Sequence, residues 1–212
     1  MIDWRAEAER YAGHLTSDLL SDLGDHLGLT IAGLARFPLL GWRRRVGNPT
    51  RPSDISGWTI PMFDGAGRIV GLQRRCPVGT KWTLPGSRNG LYLPEPSAWR
   101  GLPGPLLLVE GFSDTATCIC YGLPAVGRPS NLAGVECLAE LLHAERRRIV
   151  VLGENDQKPD GRWPGREGAV RTAERLNAAL GRPVHWMLPP PEHKDMRVWL
   201  RNLRANQDRN HH

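Results

Sequence analysis

The order of apolar runs in the second half of the chain is the feature that most restricts its fold. From residue 105 onward, short continuous apolar runs alternate with segments of helical spacing. Such runs are typical of parallel strands that are buried on both faces. They predict strands at 106–109, 125–127, 148–152 and 184–188, and helices at 113–121, 135–144, 168–180 and 195–203. This alternation indicates an α/β fold with a mainly parallel sheet flanked by helices.

The residues before this alternation form two segments of different character. Residues 1–57 have apolar residues at helical spacing (15, 19, 20, 23 and 27) and predict a helical region that ends in an Arg- and Pro-rich loop at 43–52. Residues 58–104 carry six cations and two anions and predict a basic, β-rich subdomain. Its strands are expected at 58–62, 68–74, 81–84 and 90–93, with a hairpin turn at 64–67. A small α+β N-terminal region thus precedes the α/β domain at 105–212.

Composition excludes several classes of protein and leaves the partner open. The chain of 212 residues has a net charge of +6, and all its cations except Lys81, Lys158 and Lys194 are arginine. This balance is compatible with a polyanionic partner, although a GC-rich genome explains it equally well. The four cysteines lack C-x-x-C spacing, which argues for reduced thiols and against a zinc ribbon. No run is long enough to cross a bilayer and no signal pattern is present, so we expect a cytoplasmic protein with no membrane partner.

Acidic residues follow three of the predicted strands. Glu110 and Asp114 follow the first strand, Glu154 and Asp156 follow the third, and Asp195 stands at the start of the last helix. The carboxyl ends of parallel strands meet at one edge of a sheet, so these side chains are expected to converge. Converging carboxylates repel unless a cation joins them, and oxygen-only ligands suit Mg²⁺ or Mn²⁺. The alternative is that these acids cap helices, as acids in βα loops commonly do.

The segments around these acids resemble the motifs of the Toprim domain. LLVEGFSDTA at 107–116 is similar to the glutamate motif of that family, and VVLGEND at 150–156 stands where the family has its DxD motif. The segments at 165–169 and 194–200 resemble the helix start after DxD and the closing KDxxxWL segment. Toprim domains occur in DnaG-type primases, topoisomerases and some nucleases.

The middle segment narrows the resemblance to the primases. Residues 60–74 resemble the primase hairpin hPhxDxxGxhhGhxxR, and the stretches at 79–87 and 90–92 are similar to the lysine-containing strand and the LY segment before the Toprim domain. The resemblance covers about residues 58–203. It implies the catalytic core of a bacterial DnaG-type primase, a metal-dependent nucleotidyltransferase that makes short primers on single-stranded DNA.

The resemblance also implies roles for the acids. Glu154 and Asp156 would be the main metal ligands, with Asp114 and Asp195 assisting. Glu110 would bind a metal or act as general base on the attacking 3′-hydroxyl. The implied cofactor is Mg²⁺ or Mn²⁺, and the implied partners are a single-stranded DNA template and nucleoside triphosphates.

The basic middle segment supplies the candidates for nucleic-acid and nucleotide binding. Arg74, Arg75 and Lys81 would hold template or nucleotide phosphates. Because Arg74 and Arg75 alternate across a strand, at most one need face the site, and the other is expected in solvent. Trp82 is a candidate for stacking on a base, and packing in the core is its alternative.

Three departures from the primase pattern are visible. Glu154 is one methylene longer than the first acid of DxD, residues 157–164 are an insertion, and Arg197 stands where a primase has the second acid of a DPD segment. The last departure argues against a second metal site. Neither a zinc ribbon nor a helicase-binding domain is recognisable, so we expect a minimal or mobile-element form, or one part of a multi-protein system. A replicative helicase is a further candidate partner.

Three functions therefore compete. Primer synthesis is favoured by the lysine-containing strand and the Gly-Ser segment, because a nuclease needs no nucleotide-handling module. A Toprim metal-dependent nuclease is the first alternative. A non-catalytic DNA-binding or recruitment subunit of a replication or mobile-element system is the second, and Glu154 together with the missing second acid favours it.

Overall fold

The computed structural model describes residues 2–44 and 55–209, which form two four-stranded sheets with helices packed around them. The helices are α1 (Trp4–Ala12), α2 (Ser17–Leu27), α3 (Ile31–Leu34), α4 (Pro96–Trp99), α5 (Gly111–Cys120), α6 (Val135–Leu142), α7 (Pro164–Leu180) and α8 (Met196–Arg209). The strands are β1 (Gly41–Arg43), β2 (Gly57–Phe63), β3 (Ile69–Arg75), β4 (Lys81–Thr83), β5 (Leu106–Glu110), β6 (Ala125–Arg128), β7 (Ile149–Leu152) and β8 (Val184–Met187). The loop predicted at 43–52 lies outside the described residues from residue 45 onward.

The sheet formed by the second half of the chain is parallel, with the strand order β6-β5-β7-β8. Its central strand β5 is buried on both faces. Leu106 and Leu108 belong to the larger core, whereas Leu107 and Val109 pack in a smaller core that includes Met196 of α8. Alternate residues of one strand thus serve two cores, which is why the sequence of this strand is apolar throughout. The predicted α/β class with a parallel sheet flanked by helices is confirmed.

The sheet of the first half is antiparallel, with the order β1-β2-β3-β4. The predicted hairpin between β2 and β3 is confirmed. Its turn is closed by Asp64, whose Oδ1 accepts a 2.9 Å hydrogen bond from the Arg68 N–H, and by Gly67, whose φ is 79°. Glycine adopts such a backbone angle without the steric cost that most residues incur, which explains why it stands in this turn.

Two strand assignments differ from the sequence-based prediction. β1 is an additional strand that ends at Arg43, the first residue of the segment expected to be a loop, and it pairs with β2. Three residues are too few to show an alternating pattern, so the sequence carries no signal for it. The strand predicted at 90–93 is wrong, because Leu91 and Tyr92 form only isolated bridges, to Phe63 and Gly127. The second of these bridges joins the first half of the chain to the edge of the parallel sheet.

One large core connects all three predicted segments. Leu23 of α2, Ile60 of β2 and Leu108 of β5 belong to the same cluster of buried side chains. The indole N–H of Trp58 also donates a 2.7 Å hydrogen bond to the carbonyl oxygen of Leu19. The boundaries at 57/58 and 104/105 mark changes in sequence character, and as domain boundaries they stay a prediction. Among the described residues, no helix is both long and apolar enough to span a membrane.

Candidate active site

Three acids from three separate segments meet at the carboxyl edge of the parallel sheet. Asp114 lies in the first turn of α5, Glu154 follows β7, and Asp195 immediately precedes α8. One carboxylate oxygen from each lies within 4.8 Å of the other two. Asp114 and Asp195 are buried, and Glu154 is half-buried. The predicted convergence is therefore confirmed for these three residues.

The start of α8 fixes two of these carboxylates. Asp195 Oδ1 accepts a 2.8 Å hydrogen bond from the Val198 N–H, so Asp195 caps the helix while it belongs to the acidic cluster. Asp114 accepts a hydrogen bond from the backbone N–H of Met196. The helix-cap alternative and the metal-ligand prediction thus describe the same residue, because a cap leaves the second oxygen of the carboxylate available.

Asn155 attaches the loop that carries Asp195 to the end of β7. Its side-chain amide donates to the carbonyl oxygens of Pro189, Pro190 and His193 at 2.8, 3.0 and 2.7 Å. Its backbone N–H donates to the Lys194 carbonyl oxygen at 2.7 Å. Because all the side-chain partners are acceptors, only one orientation of the amide satisfies them. The residue between the two acids of the predicted DxD-like motif therefore positions the third acid of the cluster.

The electrostatics of the cluster favour a bound cation. The pKa of Asp114 is raised from 3.8 to about 7, first by burial and then by the charges of Asp195 and Glu154. The pKa values of Glu154 and Glu110 are also raised, chiefly by burial. Carboxylates that repel in this way are relieved by a divalent cation, and an all-oxygen set suits Mg²⁺ or Mn²⁺. The residues present therefore fit the metal that the sequence predicts.

Two predicted site residues lie outside the group of three. Glu110 lines the same cavity, and after burial the charges of Glu154 and Arg128 have the largest effects on its pKa. Asp156 is directed to the start of α7, where its Oδ1 accepts a 2.7 Å hydrogen bond from the Gly165 N–H. Its other oxygen lies 3.7 Å from the Lys158 Nζ. The structure thus gives Asp156 a helix-capping contact and does not place it among the three converging acids.

A cavity of about 270 Å³ separates the acids from the antiparallel sheet. Its basic residues are Arg75 and Lys81 from β3 and β4, together with Lys194 and Arg197 from the loop before α8 and α8 itself. The Arg75 guanidinium donates a 3.0 Å hydrogen bond to Ser113 Oγ at the start of α5, which joins the two sheets across the cavity. Lys194 Nζ lies 3.8 Å from a Glu154 carboxylate oxygen. We call the side formed by the antiparallel sheet the basic wall, and the side formed by the acids, among which Lys194 and Arg197 also lie, the acidic wall.

Arg74 and Trp82 lie on the opposite face of the antiparallel sheet. The register pairs Arg75 with Lys81 and Arg74 with Trp82, and paired residues share a face. Arg74 is only 1% exposed, and its guanidinium carbon lies 5.1 Å from the centre of the Trp82 ring. The expectation that one of the two arginines is in solvent is wrong, since Arg75 is also buried. Trp82 is half-buried and does not line the cavity.

Arg128 is a buried cation behind the cavity, and its influence on Glu110 is not predicted from the sequence. It ends β6 opposite Glu110 in the parallel register, and it is fully buried. Its guanidinium donates to the carbonyl oxygens of Leu152 and Asn131, both at 2.8 Å. Burial lowers its pKa, whereas the carboxylates of Glu110 and Glu154 raise it. The one available signal is its position, an arginine at the carboxyl end of a buried strand.

This architecture matches solved primase structures. The E. coli primase catalytic core superposes with a TM-score of 0.67 at 19% identity, over 97% of this chain and 78% of that one. A DnaG primase catalytic domain bound to single-stranded DNA gives a TM-score of 0.69 at 19% identity, over 98% and 76% of the two chains. The chain has the fold of the DnaG primase catalytic core.

The same fold is shared with a more distant protein. The primase fragment of the bacteriophage T7 primase-helicase protein gives a TM-score of 0.54 at 15% identity, over 88% of this chain and 72% of that one. No protein-family model matches the sequence, and no curated protein matches it in sequence. The likeness to the primase core is therefore one of fold, and it extends over 97–98% of this chain.

Proposed function

We propose that this protein synthesises short primers on single-stranded DNA by metal-dependent nucleotidyl transfer. The observation that carries the proposal is the two-walled cavity, in which the acids Asp114, Glu154 and Asp195 face Arg75 and Lys81. Such an arrangement can hold a divalent cation and a polyphosphate side by side. The fold of the DnaG primase catalytic core supports this proposal.

The three converging acids would hold the metal, with Glu110 beside them. When bound, Mg²⁺ or Mn²⁺ would supply positive charge to neutralise the phosphate oxygens. In nucleotidyl transfer the 3′-hydroxyl oxygen forms a bond to the α-phosphorus, the bond to the β-phosphate oxygen breaks, and pyrophosphate leaves. We assign Glu110 as the general base that accepts the proton of the 3′-hydroxyl. Its raised pKa, caused mainly by burial, makes its carboxylate a stronger base than an exposed glutamate.

The basic wall would bind the nucleotide. Arg75 is held in place by its hydrogen bond to Ser113, so its guanidinium is oriented before the ligand arrives. Lys81, opposite it in the β-ladder, would provide a second charge for the phosphates. Trp82, which is half-buried on the other face of the same sheet, stays a candidate for contacts with the template. Arg74, which is 1% exposed, would support it by holding the indole ring in place.

A non-catalytic DNA-binding subunit is the second candidate, and Asp156 is the observation that favours it. Its carboxylate is engaged by the Gly165 N–H and lies near Lys158, so one acid expected at the metal is occupied elsewhere. A cytoplasmic location, a replicative helicase as partner and a role in a mobile element are further parts of our proposal. The T7 neighbour, a primase-helicase protein, supports the helicase.

The test is primer synthesis on mixed-sequence single-stranded DNA with labelled ribonucleotides or deoxyribonucleotides and either Mg²⁺ or Mn²⁺. Glu110→Gln and Glu154→Gln are compared with Glu174→Gln, a matched change at an exposed position of α7. Short products from the wild type and from Glu174→Gln, lost in the other two variants, are the expected result.

Two other outcomes would redirect the assignment. Cleavage of the template without synthesis would identify a nuclease. DNA binding without products in either metal, and with an added replicative helicase, would identify a non-catalytic subunit. The primer chemistry follows from which labelled nucleotide is incorporated.

A further inference from the structure

Arg197 is a positive charge within the acidic edge of the site. It lies in the first turn of α8, two residues after Asp195, and it lines the cavity. The cavity that it lines is bounded by Asp114 on one side and by Arg75 and Lys81 on the other. Arg197 therefore lies close enough to both walls to act on each.

No acid in the described residues neutralises Arg197 directly. The ion pairs of up to 4.0 Å formed within residues 2–44 and 55–209 include Lys194 with Glu154 but none with Arg197, Arg75 or Lys81. Arg75 is 6% exposed, and its Nε is buried without a hydrogen-bond partner in this part of the chain. A buried donor of this kind is costly to leave unpaired, so a ligand that accepts its hydrogen bond is favoured.

The carboxylates support one metal position. In the described part of the chain, one group of acids has the geometry to hold an ion, namely Asp114, Glu154 and Asp195. A second cation beside this group would meet the positive charges of Arg197 and Arg75, which repel it. An anion in the same place would be attracted by both, and guanidinium groups bind phosphate oxygens in pairs of hydrogen bonds.

We propose that Arg197 takes the place of a second metal ion. The site binds one divalent cation, and Arg197, with Arg75 and Lys81, binds the triphosphate of the incoming nucleotide. The identity of that anion rests on the proposed function, whereas the count of one metal rests on the arrangement of acids and cations alone. The cavity lining holds four acids and four cations. One divalent ion therefore gives it a net positive charge for a polyphosphate.

The test measures metal stoichiometry and anion affinity without requiring catalysis. Mn²⁺ is titrated into the full chain and free Mn²⁺ is counted by electron paramagnetic resonance, and inorganic tripolyphosphate is then titrated calorimetrically in the presence of Mg²⁺. The wild type is expected to bind one Mn²⁺ per chain. Arg197→Asp is expected to bind a second ion and to lose about 10- to 100-fold in tripolyphosphate affinity, the range for a lost charged hydrogen-bonding partner.

The matched control is Arg204→Asp, the same charge change at an exposed position of the same helix. It is expected to keep the wild-type stoichiometry and affinity. Arg197→Gln serves if Arg197→Asp does not fold, and it is expected to keep one ion while tripolyphosphate affinity falls. Two Mn²⁺ ions in the wild type, or unchanged tripolyphosphate affinity in a folded Arg197 variant, would refute the inference.

The inference and the proposed function can fail separately. If the chain makes primers but binds two ions, the role of Arg197 is wrong and the function stands. If it binds one ion and tripolyphosphate through Arg197 but makes no primers, the site is as described and the function is wrong. If an Arg197 variant binds single-stranded DNA more weakly but keeps its affinity for tripolyphosphate, Arg197 contacts the template and the inference is wrong.

Discussion

Asn155→Ala is expected to weaken the attachment of the loop that carries Asp195 to the acidic cluster. The amide has two N–H donors and serves three carbonyl oxygens, those of Pro189, Pro190 and His193, at 2.7–3.0 Å. The loss is therefore equivalent to two hydrogen bonds. At about 1 kcal/mol of net stability for each, the free energy of unfolding falls by roughly 2 kcal/mol.

That loss corresponds to a decrease in Tm of about 4–8 °C for a chain of this size. Metal affinity is expected to fall about tenfold or more, because the loop that presents Asp195 is no longer held. Urea unfolding measures the first effect, and Mn²⁺ titration measures the second. Asn177→Ala, at an exposed position of α7, is the matched control and is expected to change neither.

Asn155→Asp adds a pH test of the same contacts. The carboxylate that this change introduces would face carbonyl oxygens only, so the folded state would favour its neutral form and raise its pKa. The added penalty is absent below the pKa of an ordinary aspartate, near pH 4, and grows as the pH rises. Asn155→Asp is therefore expected to be less stable than Asn155→Ala at pH 8 and close to it at pH 4. Equal urea midpoints for the wild type and Asn155→Ala, with equal Mn²⁺ affinity, would refute the reasoning.

Three further predictions follow from the site. Because the pKa of Asp114 is raised to about 7, the wild type without divalent ions is expected to lose stability as the pH rises from about 4 to 7. Asp114→Asn should therefore have a higher Tm than the wild type at pH 8 in EDTA, and Mg²⁺ should not raise it further. Equal Tm values for the two proteins at pH 8 in EDTA would contradict this. Gly153→Ala would bring its Cβ to 2.5 Å from a backbone carbonyl oxygen, so urea unfolding should show a loss of about 1–3 kcal/mol that the looser Gly101→Ala does not. Lys81→Ala should raise the KM for nucleotides about tenfold, whereas Trp82→Ala should weaken binding of the template. Steady-state kinetics in which the nucleotide and the template concentrations are varied in turn separates the two effects.

The parallel sheet and the convergence of three acids could be predicted because both follow from local patterns. Continuous apolar runs identify buried strands, and any acid that follows such a strand lies at the same edge. The direction of each side chain at that edge depends on contacts with distant residues, and no local pattern encodes these. Asp156 illustrates this, because the Gly165 N–H draws its carboxylate to α7. Asn155 illustrates it as well, since its partners lie more than thirty residues away along the chain.

The two arginines of β3 show the limit of strand periodicity. A period of two predicts that Arg74 and Arg75 face opposite sides of the sheet, and they do. It does not say what covers each side. Helix α1 packs on the face that includes Leu72, through Ala8 and Tyr11, and the same face holds Arg74. The expectation of a solvated arginine is wrong because a helix from the beginning of the chain occupies that face.

The core that runs through both sheets has a consequence for the way such a protein changes over evolutionary time. The acidic wall of the cavity is built by one sheet and the basic wall by the other, and Leu23, Ile60 and Leu108 pack in one core behind them. Recombination with another gene between residues 104 and 105 would replace one wall of the cavity and one half of the core at the same time. Exchange of either half alone is expected to disrupt folding and chemistry at once. We therefore expect the two walls to be inherited as a unit, with new specificity arising by single substitutions at the cavity.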